Sequence, residues 1–143
     1  MSEKLVFPYI TNPHYEDDGI DRPHLPITLS HSKNEIQTLA LLDSGADVNV
    51  APYHVGIELG GIWEEEQELL GLTGVTENLE SRTLMLDIIV GTLPSIRMGF
   101  AWISADSAPV ILGQVSFFTH SKVCFYRASR QFEIELESDR IHV

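Results

Sequence analysis

Residues 39–52 read LALLDSGADVNVAP. Leu39, Ala40, Leu41 and Leu42 form an apolar run that stops at Asp43. Ser44, Gly45 and Ala46 follow, and after Asp47 the chain turns apolar again through Val48, Val50 and Ala51. Asp-Ser-Gly by itself is a common turn sequence, because Asp and Ser hydrogen-bond to nearby backbone and Gly accepts positive φ. A surface turn does not need apolar flanks on both sides, and these flanks both favour burial. The pattern therefore predicts an aspartate held on a rigid apolar base.

A carboxylate buried alone takes up a proton, since desolvation disfavours its charged form. Two carboxylates that face each other cannot both ionise; they share one proton and provide a charged and a neutral member at once, as in the dyad of aspartic proteases. With 143 residues the chain has material for one core but not for two lobes. Asp-Ser-Gly occurs once in it. The second aspartate is therefore expected from another copy of the chain, across a two-fold axis.

Outward from this stretch, short β-like segments recur: LPITLS, IQTLALLD, VNVAP, ESRTLMLDIIV, SIRMGFAWI, PVILG, KVCFYR and QFEIELE, each bounded by Gly, Pro, Asn, Asp or Ser. Alternation is clearest in Gln131 to Glu137, where Phe132, Ile134 and Leu136 share one face. Many short strands predict an all-β barrel or sandwich. The best helix candidate is Gln114 to His120, with Val115 and Phe118 three apart. Residues 62–70 (IWEEEQELL) are assigned to a strand entering a hairpin. Residues 11–24 lack a helical period and are rich in Pro, Asp and His, so 1–24 is read as an irregular N-terminal arm, 25–137 as the domain and 138–143 as a C-terminal tail.

LALLDSGADVNVAP, followed downstream by APVILGQVSFF, resembles the retropepsin-like aspartic proteases, retroviral enzymes and their free-standing cellular and bacterial relatives, over roughly residues 23–136. The resemblance implies a single-lobe acid-protease β-barrel with one short helix near the C-terminus, active as a two-fold homodimer. It implies a peptidase with no cofactor, whose partners are a second copy of itself and a polypeptide substrate. Asp43 then matches the catalytic aspartate. Ser44 matches a hydroxyl residue that locks the two active-site loops across the dimer, and Gly45 and Ala46 keep the backbone close to substrate. Asp47 matches a carboxylate that holds the substrate backbone. Ile111, Leu112 and Gly113 match the segment that passes beside the aspartate loop. Residues 69–77, with Gly71 and Gly74, hold the place of a flap, so Leu72, Thr73 and Gly74 are expected to contact substrate. Val48, Val50, Val75 and Ile111 are expected to line its side-chain pockets. The viral members carry an arginine after the glycine at the Gly113 position, paired with the carboxylate at the Asp47 position; here Gln114 stands instead.

Other chemistries fit less well. A trypsin-like nucleophilic serine requires glycines where Leu42 and Ala46 stand. The six histidines show no HExxH or paired short spacing, which argues against a metal site. No Gly-rich loop ends in Lys followed by Ser or Thr, as phosphate binding would need. The formal charge of −12 opposes nucleic acid and anionic membrane surfaces, and the longest apolar region, 84–96, is broken by Asp87 and Pro94. Cys124 is the only cysteine, a pattern expected of a reducing, cytoplasmic setting. The alternative kept beside the peptidase is a catalytically silent homodimerisation or peptide-binding module on the same fold.

Overall fold

Strand formation follows the period-two burial of the sequence. In β2 (His24–His31) Leu25, Ile27 and Leu29 are buried, and in β5 (Ser81–Ile89) Leu84, Leu86 and Ile88 are buried while Met85 faces out. The structure is a computed structural model that describes residues 3–12, 18–68 and 79–137. Its remaining strands are β1 (Lys4–Pro8), β3 (Asn34–Leu42), β4 (Val50–Ala51), β6 (Ile96–Ile103), β7 (Val110–Leu112), β8 (Ser121–Tyr126) and β9 (Gln131–Leu136). Among the described residues there are also two short helices, α1 (Tyr53–Glu58) and α2 (Phe117–His120), and single 3₁₀ turns at Trp63–Glu65 and Arg127–Ser129.

Six strands close into a barrel in the order β2-β3-β7-β4-β6-β5, and β5 pairs back onto β2. The β2–β3 hairpin turns at Ser32, whose φ of 56° supplies the left-handed conformation a two-residue loop demands. The crossing that matters for the site is at β7. It runs parallel to β3, pairing Ala40 with Val110 and Leu42 with Leu112, and antiparallel to β4, pairing Ile111 with Val50. One short strand is thus wedged between the two strands that bracket residues 43–49. The barrel is filled by Leu25, Leu29, Leu84, Leu86, Phe100 and Leu112, among others.

The second sheet, β1-β9-β8, packs Phe132 and Ile134 of β9 against that core. Here the structure departs from the expected arm. Lys4–Pro8 is a strand, paired with β9 from Lys4↔Glu135 to Pro8↔Gln131, and Phe7 stacks on Phe132 with ring centroids 5.5 Å apart. Further along, Ile10 pairs with Arg22, and the buried Asp21 accepts hydrogen bonds from Arg127 (2.9 Å) and Arg130 (2.7 Å) on the β8–β9 turn. Leu5 and Phe7 are only half-buried, so an alternation of five residues was too weak to separate from irregular chain; the strand forms because β9 offers an open edge.

One local expectation is also corrected. Residues 62–68 form no strand: Trp63–Glu65 is a 3₁₀ turn, and only Glu68 makes a bridge, to Arg82. Trp63 meets Trp102 edge-on at 4.9 Å while the Arg82 guanidinium lies 5.0 Å over its ring, so packing overrides the strand propensity of the segment. In addition, α1 occupies residues to which the sequence reading assigned no element. Pro52 is its N-cap, Val55 and Leu59 bury four apart, and Gly60, at φ 81°, ends it with its N–H on Ile57. The expected helix at 114–120 is shorter and starts at Phe117, because Ser116 departs from helical geometry at φ −100° and ψ −83°.

Candidate active site

Asp43 follows the last residue of β3 directly. Leu42, next to it, is buried against Leu112, and Asn49, Val50 and Ala51 are buried where the chain returns. Both flanks of the loop are therefore anchored in core, as the sequence suggested. Asp43 as a residue is half-buried and Ser44, Gly45 and Asp47 are exposed, so the loop projects its functional groups from a rigid base.

The loop is braced by the chain end that passes beside it. Asp43 N–H donates to the carbonyl of Leu112 (3.1 Å), Gln114 N–H to that of Ala46 (2.9 Å), and Val115 N–H to that of Asp47 (2.7 Å). Within the loop, Gly45 N–H donates to Asp43 Oδ1 (2.9 Å) and Ala46 N–H to the Asp43 carbonyl (3.1 Å). These bonds tie Gln114 and Val115 to the aspartate loop, and α2 begins only after Ser116, whose φ of −100° and ψ of −83° lie outside helical geometry. Val115 is accordingly 67% exposed and contributes nothing to the core, while Phe117 is buried.

Contact between the two segments is close enough to require glycine. A Cβ on Gly113 would lie 2.6 Å from the Val48 carbonyl oxygen and 2.8 Å from that of Ala46. Gly45 is less confined; there a Cβ would meet only Asp43 Oδ1, at 3.2 Å. Ile111 and Val50 are buried with Ile103 and Ala108 in a small cluster against which Ala46 packs. They are buried and back the loop. Val48 is half-buried. The expected flap contacts, Leu72, Thr73 and Gly74, and the expected pocket residue Val75 lie outside the described residues.

Two residues of the site were not singled out from the sequence as its supports. Asn49 is fully buried; its Oδ1 accepts from Gly113 N–H (2.9 Å) and its Nδ2 donates to the Gly99 carbonyl (3.4 Å). A polar residue between Val48 and Val50 in a buried return strand was the available signal, since such an amide must find partners. Gln114 is the other: its Nε2 donates to the Ser44 carbonyl at 2.9 Å. Asp47 makes no ion pair among the described residues, and its backbone carbonyl is held by Val115. Among the described residues no group of three or more His, Cys, Asp or Glu side chains is placed to hold a metal ion.

No family model and no curated protein matches the sequence. Solved structures do match the fold. A retropepsin-like aspartic protease from Rickettsia conorii superposes with a TM-score of 0.64 over 95% of this chain and 92% of that one, at 14% identity. The EIAV protease, in complex with the inhibitor HBY-793, superposes with a TM-score of 0.51 over 74% of this chain and 89% of that one, at 23% identity. At such identities the likeness speaks for architecture, and together with the closed barrel and its β7 wedge it shows that this chain has the retropepsin-like aspartic protease fold.

Proposed function

We propose that the protein is an aspartic endopeptidase that acts as a two-fold homodimer, with Asp43 of each copy forming the catalytic dyad. The observation that carries this reading is the Asp43-Ser44-Gly45 loop, projecting a single carboxylate from a base anchored on both sides and braced by β7. One carboxylate is half of the chemistry. Brought to a second Asp43, it shares one proton: the charged member takes a proton from a bound water, and the neutral member polarises the scissile carbonyl that the water attacks. The hydroxyl of Ser44 and the carboxylate of Asp47 are exposed beside it, available to the partner loop and to substrate backbone.

The segment from Val115 to Tyr126 supports the homodimer reading. It starts at the brace of the aspartate loop, exposes Val115, Phe125 and Tyr126, and includes β8, which among the described residues pairs with β9 alone. Exposed apolar side chains beside an open strand edge suit a second copy.

The test is digestion of a peptide library by wild type and Asp43→Asn, at several enzyme concentrations. The variant retains an oxygen to accept the Gly45 N–H, so it should stay folded and lose cleavage. Wild-type rate per chain should fall on dilution through the dimer dissociation constant. Cleavage by Asp43→Asn at the wild-type rate would exclude the mechanism, and a dilution-independent rate from a protein that sediments as monomer would exclude the shared site.

A further inference from the structure

We propose that Gln114 is a positioning residue for the Asp43 carboxylate, acting through the peptide group between Ser44 and Gly45; the inference rests on the peptidase reading above. The carbonyl of Ser44 and the N–H of Gly45 belong to one planar unit. Gln114 Nε2 donates to that carbonyl at 2.9 Å, and the N–H at the other end of the same unit donates to Asp43 Oδ1, also at 2.9 Å. A carbonyl only accepts, so the amide must turn its NH₂ end to Ser44.

The main chain of Gln114 completes the grip. Its N–H donates to the Ala46 carbonyl, so the carbonyls on both sides of Gly45 end on one residue. Gly45 has no side chain to steady it and is exposed, and its peptide is free to rotate unless held. With the plane fixed, its N–H is aimed at Oδ1, and polarisation through the chain of hydrogen bonds strengthens that donor. The preceding residue keeps the geometry tight, because Gly113 lies against the carbonyls of Ala46 and Val48. A neutral amide here therefore holds the backbone of the aspartate loop, a task distinct from neutralising Asp47.

The experiment compares Gln114→Met and Gln114→Glu with wild type, as ratios of kcat and of KM from about pH 4 to about pH 7.5, with melting temperatures beside them. Methionine keeps the length and removes the donor. Glutamate is isosteric and donates only when protonated, below the ordinary carboxyl value of about 4.3. Asp43 and Asp47 in the loop it meets push that transition upward, because like charges disfavour ionisation. His120, at the end of α2 on the same segment, is common to all the proteins and cancels in the ratio. Loss of one such hydrogen bond should lower kcat about tenfold in Gln114→Met at every pH with KM little changed. Gln114→Glu should run within about twofold of wild type at the acid end and fall about tenfold toward neutrality.

A flat Gln114→Glu ratio across that range, or a Gln114→Met kcat equal to wild type, overturns the proposal. So does a loss carried wholly by KM and melting temperature. Asp43→Asn in the same assay separates the two levels. Asp43-dependent cleavage with a flat ratio removes the role of Gln114 alone, whereas absence of Asp43-dependent cleavage in wild type removes the peptidase reading and this inference with it.

Discussion

Gly113 and Gly45 sit on opposite sides of the same contact, and replacing each with alanine should produce opposite failures. At Gly113 the new Cβ would lie 2.6 Å from the Val48 carbonyl oxygen, 2.8 Å from the Val48 carbonyl carbon and 2.8 Å from the Ala46 carbonyl oxygen. All three are backbone, in a loop tied down by the bonds from Asp43, Gln114 and Val115, so no rotamer change can relieve the clash. Overpacking costs about 1–3 kcal/mol, and a clash with fixed main chain belongs at the upper end. At about 3–4 °C per kcal/mol for a chain of this size, Gly113→Ala should melt about 10 °C below wild type. At Gly45 the added Cβ meets only Asp43 Oδ1, at 3.2 Å. That side chain can rotate, so stability should change by less than about 1 kcal/mol. The rotation moves the reacting carboxylate, and a misplacement of this kind should cost on the order of 10²-fold in kcat/KM. Thermal unfolding and peptide cleavage on both variants check the pair. A Gly113→Ala protein that melts within about 2 °C of wild type, or a Gly45→Ala protein of full activity, would refute the reasoning.

Asn49→Leu keeps the size of a buried side chain and strands the Gly113 N–H and the Gly99 carbonyl; it should lower stability by about 2–3 kcal/mol, read from the urea midpoint, and an unchanged midpoint would show that the amide is dispensable. Acid should weaken the fold in two windows. Burial, and then the charge of Arg22, hold the His24 imidazole below its ordinary range, so the unfolded chain binds a proton the folded chain refuses, and stability falls as pH drops below about 6.5. For Asp21, burial alone would raise the carboxyl, but hydrogen bonds from Arg130 and Arg127 outweigh it and hold it below the ordinary value. Its contribution is thus complete above about pH 3.9 and is lost as pH falls further. His24→Gln should flatten the upper window of a melting-temperature profile and Asp21→Asn the lower; a variant that tracks wild type through its own window removes that residue from the account.

Much of the architecture was legible because burial repeats every second residue. Leu25, Ile27 and Leu29, or Phe132, Ile134 and Leu136, announce one-faced strands without help from the rest of the chain. The aspartate loop was legible for a related reason: apolar residues on both sides of Asp43 have to be buried, whatever buries them. Segments whose structure depends on a distant partner were not legible. Lys4–Pro8 is a strand only because β9 presents an edge, and residues 62–68 avoid strand only because Trp63 finds Trp102 and Arg82.

The same division runs through the site. The order of residues determined that a carboxylate would stand between two buried flanks, that a glycine would follow a short apolar strand downstream, and that no arginine would be there to meet Asp47. Only the tertiary structure decided what Gln114 does in its place, because the Ser44 carbonyl is 70 residues away along the chain and comes within 2.9 Å of the amide only when β7 is wedged between β3 and β4. Periodicity is a local property that the sequence expresses directly. A hydrogen bond between remote segments depends on register and on close backbone approach, which the folded barrel alone supplies.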